Sequence, residues 1–214
     1  MDYQTFDMEE YIGEHIDAEP ALLAELDRYT HTHVLAPRML SGHLQGRLLK
    51  MLVRMANPRQ VLEIGTFTGY SALCMAEGLL RPEAHIHTIE IDDELEPIIT
   101  RFVSRSAFAD RITLHIGDAL SIMGEIQGDF DFVFIDGNKR DYPAYYKAVM
   151  PRLSSGGYIV ADNILWDGKV VEPVAHNDGQ TKAILEFNDL VAHDDSIEKV
   201  ILPIRDGLTL IRKK

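Results

Sequence analysis

The sequence has one cysteine, Cys74, and one tryptophan, Trp166, in 214 residues. A lone thiol excludes an intramolecular disulfide framework and suits a reducing compartment, the cytoplasm. Positive charge is also scarce, with 21 Lys and Arg against 34 Asp and Glu and a formal net charge of −13. A field of that sign repels phosphate backbones, so no nucleic-acid partner is expected. The one basic cluster, Arg212-Lys213-Lys214, is a solvated end. No apolar run is long enough to span a bilayer, and the first residues lack the basic and apolar regions of a secretory signal. No membrane partner is expected either. The nine histidines are scattered, and His31-x-His33 and His85-x-His87 read as surface or strand residues, which leaves a soft-metal site unsupported.

What remains is ordinary globular material, 46% hydrophobic and 26% charged, without repeats or low-complexity segments. That predicts one domain over residues 1–214. Residues 1–15 suit a short helix or a tail. Pro20 opens a helix that places Leu22, Leu23 and Leu26 on one face, and Ala36-Pro37 ends it. Ser41 is placed to cap a second helix, whose Leu44, Leu48, Leu52 and Met55 recur about once per turn. Beyond Asn57-Pro58 come strand candidates at Val61–Ile64, His85–Ile91, Ile112–Ile116, Phe130–Ile135 and Gly157–Ala161, alternating with helical sequence. The alternation predicts an α/β fold with a doubly wound parallel sheet and ligands beyond its strand C-termini. Two further β-rich runs, Ile197–Ile204 and Leu208–Ile211, flank Arg205-Asp206-Gly207 and predict a closing antiparallel hairpin.

Residues 61–71, Val-Leu-Glu-Ile-Gly-Thr-Phe-Thr-Gly-Tyr-Ser, read as a strand, a turn with glycines at 65 and 69, and a helix start. Such a turn lets the backbone approach a nucleoside-bearing ligand closely. A dinucleotide fingerprint would be G-x-G-x-x-G, whereas here the spacing is G-x-x-x-G with Glu63 ahead of it. A carboxylate there opposes a diphosphate and suits a cationic ligand such as S-adenosylmethionine. Glu90 closes the second strand, where it can accept ribose hydroxyls, and Asp118-Ala119 follows the third, facing an adenine edge. Acids at these places also cap the helices that follow.

The fourth strand delivers Asp136, with Lys139 three residues on, and the fifth delivers Asp162-Asn163. If the two strand ends are neighbours, two carboxylates and an amide oxygen converge into a hard-oxygen set for Mg²⁺, Mn²⁺ or Ca²⁺. Tyr142, Tyr145, Tyr146 and Trp166 follow these segments and either wall an aromatic acceptor or pack the core.

Taken in order, these motifs resemble the cation-dependent class I O-methyltransferases, the catechol and caffeoyl-CoA O-methyltransferase group, and its small bacterial members most of all. The match covers residues 22–210. It includes Arg38-Met39-Leu40-Ser41, Gly46, Leu48, residues 61–71, Glu90, Asp118-Ala119, Phe134-Ile135-Asp136, Lys139, Asp162 to Trp166 and Asp206-Gly207-Leu208. The resemblance implies a Rossmann-like methyltransferase fold, with N-terminal helices (about 1–57) capping the site and a homodimeric assembly. It implies S-adenosylmethionine contacts at Ser41, Glu63, Gly65, Ser71, Glu90, Asp118, Ala119 and Asp136. It implies a divalent cation on Asp136, Asp162 and Asn163, with Lys139 as catalytic base beside Asp136. The acceptor implied is a small aromatic vicinal diol. Two positions depart from the plant pattern: Asn138 stands where an acid is common, and Asp167 where an Asn meets substrate. The segment before Met39 and the loop from Trp166 to Gln180 should shape the acceptor pocket. On the residues alone, a metal-independent small-molecule methyltransferase, a dinucleotide-binding oxidoreductase and a non-catalytic cofactor-binding protein remain alternatives.

Overall fold

A computed structural model describes residues 3–214; Met1 and Asp2 lie outside the described residues. The chain runs α1 (Tyr3–Glu14), α2 (Ala21–His33), α3 (Gly42–Ala56), β1 (Gln60–Ile64), α4 (Tyr70–Gly78), β2 (His85–Glu90) and α5 (Glu96–Val103). It continues through β3 (Ile112–Ile116), α6 (Ala119–Glu125), β4 (Phe130–Ile135), α7 (Tyr142–Val149), β5 (Leu153–Ala161), α8 (Gly179–Ala192), β6 (Ile197–Leu202) and β7 (Leu208–Lys213). The strands form one seven-stranded sheet in the order β3-β2-β1-β4-β5-β7-β6. Its first five members are parallel, and β7 runs antiparallel to both β5 and β6. The expected doubly wound sheet with a C-terminal hairpin is therefore present. Among the described residues no helix is long and apolar enough to cross a membrane.

The central strands are mostly apolar because both sheet faces are covered, with Glu63 of β1 a buried exception. Leu62, Ile64, Val133, Ile135 and Ile159 pack with Met123, Tyr142, Ile184 and Phe187 from α6, α7 and α8. Val61, Phe132, Phe134 and Val160 pack on the other face with Leu23, Leu26, Leu49, Val53, Leu73 and Phe102. Strand order places the reversal between β1 and β4, each of which continues into a loop at its C-terminal end. Ligands of open α/β sheets sit at that crevice.

Strand ends differ from expectation by a few residues, most at β5, which starts at Leu153 because Phe130 pairs with it before a register shift. The larger difference is the inward face of α3. The stripe Leu44, Leu48, Leu52 and Met55 is only partly turned to the core: Leu48 and Leu52 pack at its margin, while Leu44 is 38% and Met55 76% exposed. Gln45, Gly46, Leu49 and Val53 are buried instead. The reason is Gly46, where a Cβ would stand 2.6 Å from Cys74 Sγ and 2.9 Å from Tyr70 on α4. Without a side chain there, the two helices approach closely along a line that hydrophobicity alone does not select. Ser41 does not cap α3 through its side chain; its φ and ψ of −59° and −33° are already helical, outside the extended range of a capping residue.

Substituting Gly46→Val is expected to force α3 off α4 and lower stability by roughly 1–3 kcal/mol, the usual range for overpacking. Thermal unfolding against wild type measures this.

Candidate active site

Past Ile64 the chain turns through Gly65, whose φ of 95° lies in the left-handed region. A Cβ on Gly65 would stand 2.5 Å from the Asp136 carbonyl oxygen. The first demand on this glycine is thus the neighbouring strand end, which the turn presses against. Phe67, also at positive φ (52°), donates its N–H to Glu90 Oε2 at 2.6 Å, while Asp92 N–H reaches Glu90 Oε1 at 3.0 Å. Glu90 therefore fixes the turn and the loop after β2 together. Gly69, at φ 92°, precedes α4.

Glu63 is fully buried, and its two oxygens accept from the Ser71 and Thr88 hydroxyls. Burial, reinforced by the charges of Asp136 and Glu90, pushes its carboxyl up to about 8, against the two hydroxyl bonds that favour the anion. Asp118 is exposed and caps α6, its Oδ1 accepting from Ser121 N–H at 2.9 Å and the Ser121 hydroxyl at 2.8 Å. Ala119 is buried as the first residue of α6. Ser41 is buried before α3, and its carbonyl accepts from Arg205.

Beside this turn, β4 and β5 end level, with Ile135 paired to Ala161 and Asp162 N–H donating to Ile135 O at 3.0 Å. Asp136 and Asp162 are the next residues of the two strands, so the strand ends are neighbours. Lys139, in a single turn of 3₁₀ helix, donates from Nζ to Asp136 Oδ1 at 2.7 Å and to Tyr142 OH at 2.8 Å. Asn138 starts that turn, its side-chain oxygen accepting from Arg140 N–H at 3.4 Å and its Nδ2 donating to Asp141 at 2.8 Å. Asp162 is buried, with Oδ1 accepting from Asn163 N–H and Oδ2 from Gln45 Nε2, each at 2.6 Å. Burial first and the Asp136 charge second raise its carboxyl to about 6, while Gln45 and Lys139 pull the other way. Asn163, at φ 57°, donates Nδ2 to Asp206 Oδ2 at 3.3 Å. Among the described residues no three His, Cys, Asp or Glu side chains gather as a metal site. The oxygen donors here are two carboxylates and an amide, with one lysine as counter-charge. One buried and one half-buried acid, short of one positive charge, fit a hard divalent cation.

The model of a family described as O-methyltransferase matches residues 13–214. The chain belongs to this O-methyltransferase family. It is 34% identical to caffeoyl-CoA O-methyltransferase 1 of Eucalyptus globulus, over 91% of this chain and 82% of that protein. The O-methyltransferase TomG of Streptomyces achromogenes, involved in tomaymycin synthesis and solved with S-adenosylmethionine, superposes with a TM-score of 0.92. It shares 26% identity, covering 100% of this chain and 99% of that one. An S-adenosylhomocysteine-bound methyltransferase of Podospora anserina superposes at 0.90 with 29% identity, covering 100% and 97%. The class I methyltransferase sheet expected from the sequence is the shared architecture.

Four residues take roles at the methyltransferase site that sequence reasoning does not assign to them, and one of them, Gln45, it does not single out at all. Gln45 binds Asp162 from 117 positions away. Its signal is a glutamine on the face of α3 that carries Gly46, Leu49 and Val53. Tyr142 neither walls a pocket nor only packs: its buried hydroxyl takes the Lys139 bond and lies 3.0 Å from Asp162 O and 3.2 Å from Ile135 O. Asp206 accepts from both Asn163 and Asp167 N–H, and Arg205 bonds the carbonyls of Arg38, Leu40 and Ser41. Both sit in the hairpin turn, where polar residues are read as solvent-facing. Trp166 packs on the α7–α8 core as a partly buried neighbour, which favours the packing reading for that ring.

The Glu63 proton gives a pH-dependent test. The folded carboxyl holds its proton to about pH 8, against 4.5 as the ordinary value. Between those pH values the folded state binds more protons than the unfolded one, so this group lowers stability as pH rises. Glu63→Gln removes that slope. Its thermal stability relative to wild type should improve from pH 5 to pH 8, by roughly 3 kcal/mol.

Proposed function

We propose that this methyltransferase moves the methyl group of S-adenosylmethionine to a hydroxyl of a catechol-type small molecule, with a divalent cation at Asp136, Asp162 and Asn163. The observation that carries the reading is the pairing of Asp136 and Asp162 at adjacent strand ends with Lys139 Nζ held 2.7 Å from Asp136. The relatives support it: one is named a caffeoyl-CoA O-methyltransferase, and two solved neighbours hold S-adenosylmethionine or its demethylated product.

In this reading the turn at Gly65 to Gly69, with Glu63, Ser71, Glu90, Asp118, Ala119 and Ser41, forms the donor slot. A buried Glu63 that keeps its proton to about pH 8 meets the sulfonium's positive charge as a group able to ionise on contact. When bound, S-adenosylmethionine supplies the methyl group and the cation fixes and acidifies the acceptor hydroxyl. Lys139 Nζ, positioned by Asp136 Oδ1 and Tyr142 OH, would take the hydroxyl proton as a neutral amine, its own proton having left to solvent once the cation and the sulfonium bring their positive charges beside it. Asp162, held at both oxygens, keeps its carboxylate in one orientation. The protein's remaining contribution is alignment of acceptor and donor, worth orders of magnitude in rate without further chemistry. Asp167, turned into the left-handed region at φ 55° and anchored to Asp206, belongs to the acceptor side. Its acid, where plant relatives carry an amide, favours a free catechol over a plant-type acyl-CoA.

Two measurements test this. Treatment with EDTA is expected to abolish transfer to catechols, and Mg²⁺ or Mn²⁺ to restore it; full activity in EDTA would establish the metal-independent reading. Lys139→Met should lower kcat by about 10²–10⁴-fold, the usual share of general acid–base catalysis, with S-adenosylmethionine affinity retained. An unchanged kcat would remove Lys139 from the base role.

A further inference from the structure

Gln45 poses a problem that folding does not answer. It is fully buried on the inner face of α3, next to Gly46 and one turn before Leu49. Its Nε2 makes one bond, to Asp162 Oδ2 at 2.6 Å, and its Oε1 is buried with no hydrogen-bond partner. An unmet buried acceptor is unfavourable, and a methionine of similar length would fill the same space without one. The side chain is therefore explained by what it does to Asp162.

We propose that Gln45 is a positioning residue for the divalent cation, holding the Asp162 carboxylate in its binding orientation without cancelling its charge. The inference rests on the reading of Asp136, Asp162 and Asn163 as the cation-holding set. A buried carboxylate beside a second one needs a donor to hold it in place. Lysine or arginine would supply that donor together with a full positive charge, which competes with the cation for the same electrostatic slot. A neutral amide supplies the N–H alone. With Asn163 N–H on Oδ1 at 2.6 Å and Gln45 on Oδ2, the carboxylate is pinned at both ends. Its remaining lone pairs point where those two donors do not. Outer groups that orient metal ligands in this way typically shift metal affinity by about 10–100-fold.

The test compares wild type with Gln45→Met and Gln45→Lys by calorimetric titration of Mn²⁺ into the full chain. Thermal unfolding in EDTA and S-adenosylmethionine titration in EDTA run alongside. Gln45→Met is expected to bind Mn²⁺ about 10–100-fold more weakly. Its unfolding temperature in EDTA should stay close to wild type, the lost Asp162 bond being offset by removal of the unmet Oε1 acceptor, and its S-adenosylmethionine affinity should be unchanged. Gln45→Lys, which keeps a donor but adds charge, should bind Mn²⁺ at least as weakly as Gln45→Met. Wild-type Mn²⁺ affinity in either variant overturns the proposal, as does a parallel loss of cation affinity, cofactor affinity and cation-free stability. If the wild-type chain itself takes up no stoichiometric Mn²⁺, the cation reading fails first and this inference with it. Weakened binding in the variants of a cation-binding wild type supports both.

Discussion

Parallel strands β4 and β5 stop at the same level, and the chain leaves each of them with an aspartate. That pairing sets a buried carboxylate, Asp162, beside a half-buried one, Asp136, and the rest of the site answers the resulting imbalance of charge. Lys139 supplies one compensating charge and is locked to Asp136 Oδ1 at 2.7 Å. Tyr142 ties the lysine to the backbone of both strands through one buried hydroxyl, which lies within 3.2 Å of the carbonyls of Ile135 and Asp162. Gln45 and Asn163 N–H hold Asp162, whose carboxyl is still driven upward by burial and by Asp136. None of these neighbours brings a second positive charge. The deficit is built into the backbone pairing, and on the proposed reading a hard cation would close it.

The same strand end constrains the nucleoside-type turn. Gly65 is glycine because its Cβ would overlap the Asp136 carbonyl, so the two loops are in backbone contact. A change in one is transmitted to the other without an intervening side chain. Glu63, below the turn, adds an electrostatic link, since the charge of Asp136 is among the causes raising its carboxyl. The turn and the acid pair thus form one electrostatic unit, in which positive charge arriving at either place eases the burden of burial on the carboxylates at both. For a reaction that brings a cationic donor to a coordinated hydroxyl, such a unit favours the state with everything bound.

Much of this was legible in the sequence. Strand-helix alternation, acids at strand ends and the Arg205-Asp206-Gly207 turn have short-range signals, and they led to the correct sheet and hairpin. Asp136, Lys139, Asp162 and Asn163 were readable as neighbours because parallel topology makes successive strand ends converge. What escaped notice depends on contacts between distant segments. The buried face of α3 is chosen by Gly46 meeting Cys74 and Tyr70, and the Leu44 to Met55 stripe gives no hint of that. Gln45 owes its role to a partner 117 residues away, and Ser41, a plausible cap by type, is already helical and uses its carbonyl instead. Asp118 shows the opposite case, where the simple capping role is the one its side chain performs.

Arg205 and Asp206 connect the chemistry to the question of which acceptor fits. Arg205 grips the carbonyls of Arg38, Leu40 and Ser41, while Asp206 holds Asn163 and the backbone of Asp167. One hairpin turn therefore anchors the segment entering α3 and the loop leaving β5, the two stretches that flank the acid pair. Their anchors are main-chain carbonyls and N–H groups, which any sequence supplies, whereas Met39 and Asp167 project as exposed side chains. On the proposed reading, residues at those two positions can vary to fit different aromatic diols without unseating a charge at the strand ends. Separating the rim from the carboxylates in this way would let the same charge arrangement take acceptors of different shape.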